Sequence, residues 1–124
     1  MQYHKIFLFA SFLFWAFLNI HANDSQKFDI IVATDGSGDF SSIQEAINSC
    51  RGFMDYEKTI FIKNGIYKEK IVLRSDIMNI TIIGESAENT IITYSDHKGL
   101  PGIGTFNSYT FQVLGNNITL KNLT

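Results

Sequence analysis

The chain has 124 residues, which limits it to one small domain or a part of a larger protein. Hydrophobic residues make up 45% and charged residues 18%, a balance that excludes a disordered or collagen-like polypeptide. Lysine and arginine number 10 against 12 acids, so the net charge of −2 leaves no basic surplus for nucleic-acid binding. The single cysteine, Cys50, excludes an intrachain disulfide and a cysteine-rich zinc site.

The first 22 residues differ in character from the rest of the chain. An uncharged apolar run covers Ile6–Leu18 after Lys5, and the segment closes at the small residue Ala22. This order is typical of a secretory signal peptide, which we expect to span residues 1–22. A membrane anchor is the alternative, but a helix over this run spans only about 20 Å of a roughly 30 Å hydrocarbon core. We therefore expect an exported chain, periplasmic or extracellular, that begins with a polar leader at residues 23–27 and has no stable membrane association.

One strand and one helix are predicted in the first half of the exported chain. The β-branched run Phe28–Ala33 predicts the strand. After a loop rich in Gly, Ser and Asp, apolar residues recur at i, i+3, i+4 and i+7 over Ile43–Cys50. That spacing predicts a short helix with one buried face, capped at Ser41 or Ser42. Cys50 completes the apolar stripe, which favours a packing role for it over a nucleophilic one.

The second half of the chain contains only short apolar runs separated by turns. A step of 20 residues separates Ile60 from Ile80. The same step separates Ile71 from Ile91. A constant step predicts a solenoid with more than one strand per turn, such as a parallel β-helix. An antiparallel sandwich stays open, because Asn64-Gly65 is a hairpin signal. The strand candidates are Thr59–Lys63, Lys70–Leu73, Asn79–Gly84, Thr90–Thr93, Thr110–Val113 and Asn117–Leu123.

The two ends of the predicted solenoid differ in whether the sequence supplies a capping segment. A solenoid needs a cap at each end to cover its exposed strand edges. The helix near residues 42–50 is suited to the N-terminal end. The last strand candidate, Asn117–Leu123, has no capping segment after it. We therefore expect this chain to be the front part of a longer protein, incomplete at its C-terminus.

Few residues have the spacing of a catalytic or metal site. Asp35, Ser37 and Asp39 alternate as calcium ligands do, but the glutamate that closes a calcium loop is missing. His97, the sole histidine after the predicted signal peptide, stands in a polar loop, and the chain has no GxSxG elbow. Glu69 stands between two lysines and is either an acid or base of a reaction or a surface turn residue; we favour the turn. We expect no metal and no cofactor.

Two further patterns concern carbohydrate. The segment Thr105–Thr110 combines hydroxyls, an amide and two aromatic rings, which suits either a sugar-binding cleft or the start of the next strand. The residues alone favour neither interpretation. Glycosylation sequons begin at Asn79, Asn117 and Asn122, and we interpret them as fortuitous because they lie within strand candidates.

Four segments in order resemble the N-terminal portion of the pectin methylesterase family, and most closely its bacterial members. They are IIVATDGSGDFSSIQEAI (30–47), IFIKNGIYKEKIVL (60–73), NITIIGESAENTIIT (79–93) and GTFNSYTFQVLGNNITLKNLT (104–124). The resemblance implies an all-β fold, a right-handed parallel β-helix. It also implies hydrolysis of galacturonate methyl esters in pectin, which leaves a free carboxylate and methanol.

The resemblance also implies that the family's catalytic residues lie outside this chain. The family uses one aspartate as nucleophile and a second as general acid and base, with glutamines that stabilise the oxyanion, an arginine that holds the nucleophile, and no metal. All of these belong to segments beyond the family's ITFxN stretch, which matches Ile118–Asn122. No catalytic residue is therefore expected within this chain. Thr105 matches a substrate-contacting threonine of the family, and Tyr109 replaces the family's alanine.

We therefore expect residues 28–124 to be the N-terminal part of a monomeric pectinesterase catalytic domain that acts on pectin. A non-catalytic carbohydrate-binding β-helix module is the main alternative, and a calcium-dependent polysaccharide lyase is a third. Catalytic residues downstream of Thr124 would distinguish the three.

Overall fold

The computed structural model describes residues 27–97 and 99–124. The predicted signal peptide and residues 23–26 of the leader lie outside the described residues. Over the described ranges, no helix is long and apolar enough to cross a membrane. The described elements are helix α1 (Ile43–Asn48), a 3-10 helix (Thr105–Asn107) and strands β1 (Ile30–Val32), β2 (Lys58–Ile62), β3 (Gly65–Lys68), β4 (Ile71–Leu73), β5 (Met78–Gly84), β6 (Thr90–Thr93), β7 (Phe111–Val113) and β8 (Asn116–Lys121).

The strands form three parallel sheets that the chain visits in turn. Sheet A has the order β1-β2-β5-β8, sheet B pairs β3 with β6, and sheet C pairs β4 with β7. Every pairing is parallel. The chain passes through A, B and C in β2, β3 and β4, and again in β5, β6 and β7, so it winds as a parallel β-helix. This confirms the predicted solenoid, and the antiparallel sandwich is wrong.

The sequence signals for a hairpin and for a 20-residue repeat both need correction. Asn64-Gly65 forms a corner at which the chain leaves sheet A and enters sheet B at Gly65. Ile60 pairs with Ile82 rather than with Ile80. Strands β4 and β6, which supplied the second 20-residue step, lie in different sheets. The coils therefore differ in length, because their corner loops differ in length.

Stacked aliphatic side chains fill the interior of the helix. Side chains alternate in and out along each strand, and the parallel register places equivalent positions directly above one another. Ile30 pairs with Ile60, and Ile60 with Ile82, and all three are buried. Burying one such side chain contributes about 1.5–3 kcal/mol, so this ladder is a main source of stability.

The glycine-rich loop after β1 closes the free edge of sheet A. Ile31 N–H donates to Asp39 Oδ2 at 2.8 Å, and Asp39 N–H donates back to the Ile31 carbonyl at 2.7 Å. Ala33 N–H donates to the Phe40 carbonyl at 3.0 Å. Gly38 permits this close approach, because a Cβ there would lie 2.5 Å from the Ile31 oxygen. The edge hydrogen-bonding groups of β1 are thus satisfied within the chain.

Helix α1 closes the free edge of sheet C through one side chain. Val72 N–H donates to Gln44 Oε1 at 2.7 Å, and Gln44 Nε2 donates to the Val72 carbonyl at 3.1 Å. The Gln44 side-chain amide therefore makes a donor and an acceptor hydrogen bond with the backbone of β4, as a residue of a neighbouring strand would. The predicted apolar stripe is confirmed, since its four residues are buried beneath the helix: Ile43, Ala46, Ile47 and Cys50.

The N-terminus of α1 is held by Glu69 from the coil that follows. Ser42 is the N-cap, as one of two predicted candidates, and its Oγ donates to Glu69 Oε1 at 2.6 Å. Ile43 N–H donates to Glu69 Oε2 at 2.9 Å, and Gln44 N–H donates to Oε1 at 3.1 Å. A carboxylate at this position satisfies amides that have no partner within the helix. Glu69 is therefore a capping residue rather than a solvated turn residue.

Removing the buried side chain of Ile82 tests the interior ladder. We expect Ile82→Ala to lower the free energy of unfolding by about 3 kcal/mol, because it leaves a cavity between stacked coils. Ile66→Ala is the matched control, since Ile66 lies on β3 but is 59% exposed. Urea unfolding followed by circular dichroism measures both. Equal losses in the two variants would contradict the ladder.

Neutralising Glu69 tests the interaction between coil and helix. We expect Glu69→Gln to lower the free energy of unfolding by about 1–2 kcal/mol, because charge-assisted hydrogen bonds to the helix N-terminus are lost. Glu45→Gln removes an exposed carboxylate of the same helix and is expected to change stability by less than about 0.5 kcal/mol. Thermal or urea unfolding of the two variants gives the comparison.

Candidate functional site

The largest departure from regular coils is the loop between β6 and β7, residues 94–110. One coil earlier, the same corner between sheets B and C consists of Glu69 and Lys70 alone. Backbone hydrogen bonds fix both ends of the long loop to the short corner. Glu69 N–H donates to the Thr93 carbonyl at 3.1 Å, and Ile71 N–H donates to the Thr110 carbonyl at 2.8 Å. The loop is therefore an insertion mounted on a rigid base, a common position for functional residues.

Thr105 stands at the start of the 3-10 helix within this loop. Ser108 Oγ donates to the Thr105 carbonyl at 2.9 Å, and Asn107 N–H donates to the Gly104 carbonyl at 3.0 Å. Thr105 is exposed, and Phe106 beside it is 92% exposed. Of the two interpretations left open by the sequence, the strand does not apply to Thr105, because β7 begins only at Phe111. An exposed hydroxyl beside an exposed ring offers hydrogen bonding and stacking to one ligand.

Lys70 connects the short corner to both halves of the loop. Its Nζ lies 2.5 Å from Asp96 Oδ2 and 2.5 Å from the Asn107 carbonyl oxygen. The same Nζ lies 4.6 Å from the centroid of the Tyr109 ring, within the range of a cation–π contact. The hydrogen bond that Lys70 donates to Asp96 raises the pKa of Lys70, so the ammonium stays charged at neutral pH. The sequence analysis did not predict this cluster. Its only sign in the sequence is Tyr109, which stands where the family has an alanine.

The acidic loop near the N-terminus uses its side chains for structure. Asp35 Oδ1 accepts from Ser37 N–H at 2.9 Å, and Asp39 binds the edge of β1. Hydrogen bonds from Ser37 lower the pKa of Asp35. The region forms turns that close a sheet edge. Over residues 27–97 and 99–124, no cluster of three metal-ligating side chains occurs.

His97 and Cys50 are not placed with catalytic partners. His97 is exposed, and its Nδ1 lies 3.2 Å from the Ser95 carbonyl oxygen of the same loop. Cys50 is 3% exposed, and its Sγ lies 3.5 Å from the Ala46 carbonyl oxygen. Burial raises the pKa of the Cys50 thiol, which disfavours the thiolate. The packing role of Cys50 predicted from the helical stripe fits this position.

The asparagines of the three sequons lie in or directly after strands: Asn79 is in β5, Asn117 is in β8, and Asn122 follows β8. Their φ angles are 59° for Asn79, 52° for Asn117 and 54° for Asn122, in the left-handed region that asparagine tolerates. Asn79 Nδ2 donates to the Met54 carbonyl at 2.6 Å. Asn117 Nδ2 donates to Asn79 Oδ1 at 2.7 Å, so the first two amides stack from coil to coil. The prediction that the sequons lie within strands is therefore confirmed for Asn79 and Asn117 and is wrong for Asn122.

Comparisons with known proteins identify the family. A family model described as Pectinesterase matches residues 29–124. The chain belongs to the pectinesterase family. It is 36% identical over 100 residues to the Arabidopsis thaliana protein "Probable pectinesterase/pectinesterase inhibitor 6", a match that covers 79% of this chain and 18% of the relative. The chain therefore spans less than a fifth of that relative's length.

Solved structures of pectin methylesterases share the fold. The carrot enzyme superposes with a TM-score of 0.74 at 29% identity, over 80% of this chain and 31% of the carrot chain. The Erwinia chrysanthemi enzyme PemA gives a TM-score of 0.64 at 22% identity, over 80% of this chain and 30% of its own. The family and the β-helix expected from the four segments are confirmed. The expected likeness to bacterial members is not supported, since the plant enzyme is the more similar of these two.

Reagent access tests the assignment of Cys50 to the core. We expect the Cys50 thiol of the folded chain to react with Ellman's reagent at pH 8 at least about a hundredfold more slowly than in 8 M urea, because it is buried and its pKa is raised. The free cysteine amino acid serves as the control for reagent and pH. Rapid stoichiometric reaction of the folded chain would contradict the packing role.

Proposed function

We propose that this chain contributes the first coils of an exported pectinesterase that hydrolyses galacturonate methyl esters of pectin to carboxylate and methanol. In this proposal residues 1–22 form the signal peptide, and residues 28–124 form the N-terminal part of the catalytic β-helix. The protein acts outside the cytoplasm as a monomer, on the pectin of cell walls, without a metal or cofactor. The catalytic aspartates are supplied by coils beyond those described.

One observation carries this proposal. Parallel pairing in sheet A continues from β1 at residue 30 to β8 at residue 121, and the pectinesterase model matches residues 29–124. The carrot enzyme superposes on 80% of this chain with a TM-score of 0.74. These findings support the proposal that the chain forms the first coils of a pectinesterase β-helix.

Thr105 is the residue to which we assign substrate contact. Its position at an exposed turn, beside the exposed ring of Phe106, supports this role. A uronate presents hydroxyls and a carboxylate or its ester, and a threonine hydroxyl donates to either. A hydrogen bond to a charged group contributes about 1.5–3 kcal/mol, which is enough to affect substrate affinity measurably.

A chimaera tests the proposed function. Residues 29–124 replace the matching segment of the carrot enzyme, which then supplies the catalytic coils. We expect the chimaera to release methanol from methyl-esterified pectin and this chain alone to release none. Within the chimaera, Thr105→Ala should raise KM about tenfold with a smaller change in kcat, because a contact to the sugar is lost. Thr34→Ala, which alters an exposed threonine of the turn after β1, is the matched control.

The outcomes separate the alternatives. A chimaera that folds by circular dichroism yet releases no methanol would contradict the assignment of these coils to a pectinesterase. Binding of this chain to pectin in a co-sedimentation assay, together with an inactive chimaera, would favour a carbohydrate-binding module. Methanol release by this chain alone would place catalytic groups within it and overturn our assignment.

A further inference from the structure

The loop that carries Thr105 has little apolar anchoring of its own. Phe106 at its 3-10 turn is 92% exposed, and none of the described loop residues, 94–97 and 99–110, belongs to the buried core. Hydrogen bonds within the loop are local, such as Ile103 N–H to the Leu100 carbonyl at 3.0 Å. Local bonds of this kind shape a turn but do not fix its position against the rest of the molecule. The position must be set by contacts to other coils.

Lys70 makes side-chain contacts with both halves of the loop from another coil. Asp96 stands near the beginning of the loop, and Asn107 and Tyr109 near its end, and one ammonium reaches all three. The side chains of the ion pair are largely shielded, with exposed fractions of 24% for Lys70 and 17% for Asp96. Shielding reduces the screening that makes most surface ion pairs weak. Lys68 offers a contrast, since it is exposed and no salt bridge involves it among the described residues.

We propose that Lys70 is a positioning residue that joins the two halves of the 94–110 loop and so presents Thr105 and Phe106 to the substrate. The proposal rests on the proposed function, because it names what holds the sugar-contact residues of that same site. Tyr109 has a part in this arrangement. Its ring lies against the ammonium, which the alanine expected at this position from the family resemblance would not provide.

The first test measures the loop itself in the 124-residue chain. We expect Lys70→Met to increase hydrogen-exchange rates of the loop amides of Ile103 and Asn107 about tenfold, while exchange at the core amide of Ile60 stays unchanged. Lys70→Arg should restore most of the protection, because it keeps the charge and the donors. Lys68→Met removes an equal charge two positions away and should leave the loop amides unchanged.

The second test measures ligand binding by the same variants. A methyl-esterified hexagalacturonate is titrated against the 124-residue chain and its binding is followed by the NMR signal of Thr105. We expect Lys70→Met to weaken binding at least about fivefold, and Lys70→Arg and Lys68→Met to retain it within about twofold. Unchanged loop exchange in Lys70→Met would overturn the positioning role. A loosened loop with unchanged binding would do so as well.

The two tests also separate this proposal from the proposed function. If the folded wild-type chimaera releases no methanol but Lys70→Met loosens the loop, the positioning role of Lys70 stands and the pectinesterase assignment fails. If the wild-type chain binds and Lys70→Met changes neither property, the pectin assignment stands and the positioning role is wrong.

Discussion

The structure depends on satisfying the free strand edges at its N-terminal end. A parallel sheet presents a row of unpaired N–H and C=O groups wherever stacking begins, and such an edge favours association with other chains. Here the edge of β1 is bonded by Asp39 and Phe40, and the edge of β4 by the Gln44 amide. These contacts satisfy the edge groups within the chain. The apolar ladder of stacked side chains then adds stability coil by coil.

The β-helix also explains why candidate functional residues lie in a loop. Strand positions are constrained by the coils above and below, and inward positions are filled by aliphatic side chains. The corners carry no such constraint, so their lengths vary. The corner between sheets B and C takes two residues, Glu69 and Lys70, in one coil and the 94–110 segment in the next. Backbone hydrogen bonds at Thr93 and Thr110 hold both ends of the loop, so its length does not affect the pairing of β6 or β7.

Much of the fold followed from local patterns, and the long-range contacts did not. The stripe from Ile43 to Cys50 predicted the helix because periodicity is a local property. Strand β6 was predicted at its observed bounds, Thr90–Thr93, for the same reason. The 20-residue step predicted the right architecture from a spacing that is not the register, since two of its strands belong to different sheets. For the candidate site, Thr105 came from the family resemblance, whereas the partners of Lys70 could not be read from the sequence, because nothing local in it links position 70 to positions 96 and 107.

The short corner of the middle coil contacts both neighbouring coils. Glu69 and Lys70 are adjacent, carry opposite charges and contact opposite neighbours along the helix axis. Glu69 binds the N-terminus of α1, which belongs to the coil before, and Lys70 binds Asp96 and Asn107 in the coil after. The position of the candidate sugar-contact loop is therefore tied, through these two adjacent residues, to helix α1, which closes the free edge of sheet C.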